Sequence, residues 1–337
     1  MAKPTDKQMQ YWKDREHAYE NYLKQVDESV AERMNRNLME AKADVQKQIN
    51  DLFEKYSNNG NISIEDVHVA VNQFDVKTYE AKAKELVQEA RRIEREQGRK
   101  ATRADFNEKD NADLRLYNLT MRVNQLELAN ANINLTLSKA TLKNQDIINN
   151  RLKDSVLETT KRQSGILGQH IELNGKDVSA IVNGDYQATK FSDNLWNNNR
   201  DMVNEITGTL RRAVTAGVNP VVGASAFQRQ FEKTIGKNSF NAKRLLINET
   251  ARVQADAHKA SYEKSGYTKY IYMAESHACD ICKTLDGKVF DVDKMQPGEN
   301  CFPMHPFCHC STAPYADREE MERLIKIANE ETLRNRR

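Results

Sequence analysis

The sequence predicts a mainly α protein: an elongated N-terminal region of long helices, then an α+β C-terminal domain carrying a small metal-stapled β-hairpin element. Three observations predict it. From Thr5 to Asn59, and again from Arg99 to Ser164, the chain has neither glycine nor proline, so nothing local breaks a helix. Apolar residues recur through both stretches in steps of three and four. All five cysteines and three of the seven histidines crowd between His277 and Pro314.

Composition agrees. Of 337 residues, 30% are charged and 39% hydrophobic, with a mean hydropathy of −0.80, a profile of solvated helices rather than one large core. A net charge of +2 implies no global field for nucleic acid or membrane. No window of eighteen apolar residues occurs, and the start MAKPTDKQMQ has no apolar signal core. The expectation is a chain made and folded in a reducing cytoplasm, with no membrane segment.

Pro4-Thr5 with Gln8 reads as a helix start, a threonine N-cap with a glutamine three residues on. Tyr19, Leu23, Val26, Val30, Met34, Leu38, Ala41, Val45, Ile49, Leu52 and Tyr56 then draw one stripe along a helix of about fourteen turns. Asn58-Asn59-Gly60 ends it. So narrow a stripe suits a helix hairpin or a coiled-coil seam. Ser63 caps a short helix to about Gln73, and a longer one runs from Val76 to Gln97, closed by Gly98. Its Arg91-Arg92-Ile93-Glu94-Arg95-Glu96 cluster mixes signs and reads as a solvated face. Leu116, Leu119, Val123, Leu126, Ile133, Leu137 and Ala140 carry the stripe on the next helix. Its dense asparagines, Asn130, Asn134, Asn144 and Asn149 among them, are read as facing water rather than fixing register.

Gly165, Gly168, Gly175 and Gly184 change the texture. The boundaries drawn are 1–165 for the long-helix region, 166–190 for a linker, 191–316 for a C-terminal domain with its Cys/His element at 277–314, and 317–337 for a charged helix capped by Asp317. Inside the C-terminal domain, helices are expected from Phe191 to about Ala216 with Ser192 as cap, from Ala224 to Ile235, and from Ser239 to Ser265. A turn at Gly217 to Pro220 separates the first two, and a strand follows from Tyr267 to Ala274.

The cysteine-rich stretch holds two knuckles, Cys279-x-x-Cys282 and His305-Pro306-Phe307-Cys308, the second extended by Cys310. Zinc takes four thiolate or imidazole ligands in a tetrahedron, and a C-x-x-C turn aims two sulfurs at one point. Between the knuckles, Leu285-Asp286-Gly287-Lys288-Val289-Phe290 gives a hairpin signal with Asp-Gly in the turn. The reading is a zinc-stapled β-hairpin whose structural ion sits on Cys279, Cys282 and Cys308, with His305 or Cys310 as fourth ligand. An odd number of cysteines argues against disulfides, and the lack of a βαβ pattern argues against a redox C-x-x-C. Ligands in excess of four favour a closed site over a catalytic one, which keeps a position open.

With these residues in view, the chain resembles the phage Mu F-type minor head proteins, also called head morphogenesis or minor capsid proteins. Cys279/Cys282, Leu285 to Phe290, and the closing His305-Pro306-Phe307-Cys308-His309-Cys310 follow the family's ordered pattern. Phe191-Ser192 with Trp196, the Leu246 to Thr250 helix before Gly266-Tyr267, and Tyr11-Trp12-Lys13-Asp14-Arg15 also fit it. Two departures stand out: His309 replaces the arginine usual between the last two cysteines, and Ile247-Asn248-Glu249 replaces Arg-Thr-Glu. The resemblance implies a low-copy protein of the phage capsid interior near the portal vertex, made in the host cytoplasm. Its implied roles are head morphogenesis and DNA packaging and ejection, with the portal protein and the major capsid or scaffold components as partners.

No catalytic residues are expected. The competing function is a zinc-containing nucleic-acid-binding module or metal-dependent nuclease. Lys237, Lys243, Arg244, Arg252, Lys259, Lys264 and Lys269 with Tyr267, Tyr270 and Tyr272 could form a phosphate-tracking face, diluted by Glu232, Glu249, Asp256 and Glu263. Weak non-specific DNA contact fits either reading. A nuclease would need histidines free of the knuckles and an acidic pair beside them, and neither is evident.

Overall fold

The structure, a computed structural model, describes residues 6–57, 88–89, 91–93, 95–96, 108–185, 188–215, 220–317 and 321–326. Among the described residues come first the helices α1 (Asp6–Ser57), α2 (Glu108–Leu167), α3 (Gly175–Val182), α4 (Phe191–Thr215) and α5 (Pro220–Lys264), with helical residues also at 88–89, 91–93 and 95–96. A small mixed region follows, with β1 (Lys269–Met273), α6 (Asp280–Leu285), β2 (Val289–Asp291) and β3 (Ser311–Tyr315). The expected order, long helices and then an α/β segment, is what is found. The expected Thr5 cap, the Asn58 to Gly60 stop, the Ser63 helix, the Gly98 stop, the Gly217 turn and the Arg334 to Arg337 end lie outside the described residues, as does most of the Val76 helix. The tail beyond residue 326 does too.

The chain divides into two compact units: Met1–Leu38, Ala140–Asn199 and Asn238–Arg337 form one, and Met39–Lys139 with Arg200–Lys237 the other. In the second unit, Val45, Ile49, Leu52, Ile133, Leu137, Ile206, Leu210, Phe227 and Phe231 are buried, and the Phe227 and Phe231 rings stack at 5.6 Å. Gln48 donates to Thr136 at 3.2 Å and Arg211 pairs with Glu127 at 2.8 Å, so α1 braces α2 and α2 braces α4. The mixed-sign cluster is solvated as expected: exposed Arg92 pairs with Glu89 and Glu96 one turn either side.

In the first unit the α1 stripe is buried at Val30, Met34 and Leu38. Its core joins Val30, Ala31 and Met34 to Ile148, Leu152 and Val156 of α2, Leu195 of α4, and Leu245, Leu246 and Val253 of α5. Polar contacts set the register. Glu16 meets Arg162, Asp27 meets Arg151, and Asn37 meets Asn144; residue numbers rise along α1 as they fall along α2, so the two helices pair antiparallel within the chain. Asp27 and Arg151 are both buried at 2.8 Å. Asn144 is buried and donates to the Met34 carbonyl at 3.2 Å, against the solvated reading; Asn132, Asn134 and Asn150 face water as expected.

Two local expectations give way to tertiary context. The break expected between Ile235 and Ser239 is absent: α5 is one helix of 45 residues. Gly236 costs only about 1 kcal/mol in a helix, and Ser239 spends its hydroxyl on Asn35 at 2.8 Å instead of a cap. Ser192 lies inside the first turn of α4, one residue past its start. The stretch 166–190 holds α3, opened by an Asn174–Asp177 capping box, and lends Leu173 and Val182 to the core.

The sheet has the order β2-β1-β3, antiparallel throughout. Strand β1 is where expected, and both its faces are covered. Tyr270 and Tyr272 face the cysteines and α5, while Ile271 and Met273 pack with Ala313, Tyr315, Met9 and Trp12.

Candidate metal centre

The first knuckle is a helix start. Cys279 is the N-cap of α6, extended at φ −67° and ψ 169°, and its carbonyl accepts from Lys283 at 2.9 Å. One turn on, Cys282 points back the same way and is fully buried. This corrects the hairpin expectation: Leu285 ends a helix, and Asp286-Gly287 turns that helix into β2. Gly287 adopts φ +72°, a left-handed conformation natural to glycine, and its amide donates to the Tyr272 carbonyl at 2.9 Å. The strand partner of β2 is β1, with Tyr270 opposite Phe290, so the first knuckle lies inside a long connection between paired strands.

The second knuckle folds tightly. Cys308 donates its amide to the His305 carbonyl at 3.2 Å, and Phe307 sits at φ +61°. The Asn248 side chain of α5 accepts from the Phe307 amide at 2.9 Å, and Phe240 of α5 packs on the Phe307 ring at 5.8 Å. Asn248, one of the two departures noted in the sequence, thus holds the knuckle.

All five candidate ligands converge. Cys279, Cys282 and His305 have ligand atoms within 4.8 Å of one another, and so do Cys282, Cys308 and Cys310. Cys282 belongs to both groups. Its sulfur lies 3.4 Å from His305 Nε2 and 4.0 Å from Cys308 Sγ. Two ligands of one tetrahedral zinc ion are separated by about 3.6 Å for sulfur and nitrogen, and about 3.8 Å for two sulfurs, given the usual bond lengths. The spacing therefore fits the ion. His305 Nδ1 is 2.9 Å from the Pro306 carbonyl, which can only accept. A neutral imidazole then carries its proton on Nδ1 and presents the Nε2 lone pair to the sulfurs, the usual outer contact of a metal-binding histidine.

Electrostatics divide the thiols. Amides of Cys282 and Ile281 facing the Cys279 sulfur lower its pKa. A hydrogen bond from Cys310 brings Cys308 down to about 6 despite burial. Burial pushes Cys282 up to about 12, and the Cys308 partner with burial holds Cys310 far above the ordinary thiol range. Four thiolates cannot share a dry core without a cation; a divalent ion would remove that conflict.

The other cysteine and histidines stay outside the two groups. Cys301 is fully buried, its thiol raised by burial. His277 is exposed and His309 half-buried. The fully buried His258, which the sequence reading did not single out, sits 2.9 Å from the Thr312 hydroxyl. Of the residues set out as a phosphate-tracking face, Tyr270, Tyr272 and Arg252 are buried, Lys243 pairs with Glu28 and Lys264 with Asp177, while Lys237 and Arg244 are exposed. Aromatic rings with no free face cannot stack on bases.

The span from Asn204 to Ala313 matches the family model described as Phage Mu protein F like protein. The match to the phage Mu F-like family model is confined to residues 204–313. That span begins within α4, contains α5, the sheet through Ala313 and every candidate ligand, and covers about a third of the chain. No curated protein and no solved structure matches the chain. Among the described residues no helix is long and apolar enough to cross a membrane.

Proposed function

We propose that the protein is a minor head protein of a phage capsid, without catalytic activity, in which a structural zinc ion fixes the end of the Mu F-like domain. The observation that carries this reading is the coincidence of that domain with two ligand groups sharing Cys282. The ion would be held by four of Cys279, Cys282, His305, Cys308 and Cys310. It would tie α6 to the second knuckle and so hold the connection between β1 and β2 against the approach to β3. A three-stranded sheet with strands of three to five residues has little core of its own, and zinc can supply on the order of 10 kcal/mol to such a fold.

In this reading the domain at 191–316 docks at the portal vertex in the capsid interior, and the helices of 1–165 meet the portal protein and the major capsid or scaffold components during head assembly, DNA packaging and ejection. Isolated heads test it. The wild-type chain should co-purify with the portal ring at a fixed low copy number, and a Cys282→Ser chain should be lost from heads. Heads that incorporate the variant normally, or a chain absent from heads, would refute the reading.

A further inference from the structure

Three tyrosines, Tyr262, Tyr270 and Tyr272, are fully buried around the cysteine cluster. Two have oxygen partners: Tyr262 donates to the Thr312 carbonyl at 3.1 Å, and Tyr270 donates to the Asn300 side chain at 2.9 Å. The Tyr272 hydroxyl has no hydrogen-bond partner, sulfur included, and its ring packs in the same buried cluster as Cys282, Cys308 and Cys310. The backbone leaves the ring little choice. The Tyr272 amide donates to the Lys288 carbonyl at 2.9 Å, its carbonyl accepts from Gly287 at 2.9 Å, and it stands opposite Thr312, two residues beyond Cys310.

A buried phenol without a partner is costly, and a neutral thiol is a weak acceptor. A metal-bound thiolate is a strong one. A divalent ion with three thiolates and one imidazole has a net charge of −1, and with four thiolates −2, so a donor from a dry wall stabilises either. We propose that Tyr272 is a positioning residue of the metal centre, its orphan O–H donating to a thiolate of the cluster once the ion is bound and fixing that sulfur's direction and charge. This rests on the metal reading of the cluster.

Tyr272→Phe removes one oxygen and leaves the packing, and the full chain serves for the test. The variant should lose zinc to a competing chelator about ten-fold more readily, in the range typical of outer-shell contacts. With cobalt in place of zinc, its sulfur-to-metal charge-transfer band should shift while far-ultraviolet circular dichroism stays the same. In the zinc-stripped, reduced chain the same substitution should leave the unfolding midpoint unchanged or raise it, because an orphan hydroxyl is gone. Tyr262→Phe is the comparison: it loses a bond to Thr312 and should lower stability without moving the cobalt band. Zinc retention within two-fold of wild type and an unmoved cobalt band in Tyr272→Phe overturn the proposal. A wild-type chain that takes up neither zinc nor cobalt overturns the metal reading, and this proposal with it.

Discussion

Replacing Arg252 by methionine should be among the most damaging single changes away from the cysteines. The guanidinium is 1% exposed and pairs with Glu249, also 1% exposed, at 2.7 Å. It also meets Asp256 at 2.9 Å and donates to the carbonyls of Ile181 and Val182 at 2.8 and 3.1 Å. One side chain of α5 therefore satisfies a buried carboxylate and closes the C-terminal end of α3, whose last carbonyls have no partner inside the helix. Methionine keeps most of the volume and strands the Glu249 carboxylate and the Val182 carbonyl, while the Ile181 carbonyl keeps the Gly184 amide at 3.2 Å. Breaking a buried pair from one side costs about 3–5 kcal/mol, and the stranded carbonyl adds to that. Glu249 tempers the loss, because burial already raises its carboxyl pKa and without Arg252 it takes up a proton. The loss should thus be largest at pH 8 and smaller at pH 5, where the neutral carboxyl needs no cation. Urea unfolding followed by circular dichroism measures it, and amide exchange should show α3 opening first. Adding Glu249→Leu should recover at least half of the loss. A single-variant cost below about 1 kcal/mol, or no recovery in the double variant, would refute the reasoning.

Further predictions concern the other buried groups. Burial holds His258 neutral in the folded state, with its pKa lowered to about 3 from an ordinary 6.5. The unfolded chain binds that proton first, so stability is full above pH 6.5 and falls as pH drops toward 3. By linkage the loss is roughly 2 kcal/mol between pH 7 and 5, and His258→Phe should flatten that slope in urea midpoints. Phe231→Ala empties a site 1% exposed and should cost about 3–5 kcal/mol in the second unit, read by thermal unfolding. Cys282→Ser should abolish metal uptake and expose the β1 and β2 amides to exchange, while amides near Leu152 of α2 stay protected.

Much of the helical frame is legible from residue spacing. Val30, Met34, Leu38, Val45 and Ile49 are buried as their steps of three and four require, and Phe191 opens a helix described through Thr215, the expected end at about Ala216 lying outside the described residues. What spacing hides is polar burial. Spacing singles out none of Glu16, Asp27, Arg151 and Arg162, and it sets Arg252 on a phosphate-tracking face, because each one's partner lies on another helix or another turn and only the fold brings them together. The Asp286-Gly287 pair was legible as a turn but not as to what it joins: a hairpin needs a strand before it, and Cys279 caps a helix there instead. Likewise Gly236 and Ser239 carry local signals for a break, which the packing around α5 overrides. The five candidate ligands were readable as a set because short knuckles act locally. Tyr272 was not, since its role depends on β1 lying across both knuckles.

Metal content measured together with thiol reactivity decides whether one divalent ion joins the two knuckles. Chain purified without chelator should carry one equivalent of zinc, with Cys279, Cys282 and Cys308 unreactive toward a thiol reagent until chelator and denaturant release the ion and all five thiols together. Less than a tenth of an equivalent of any transition metal, with Cys279 and Cys308 reacting promptly in the folded chain, would contradict it.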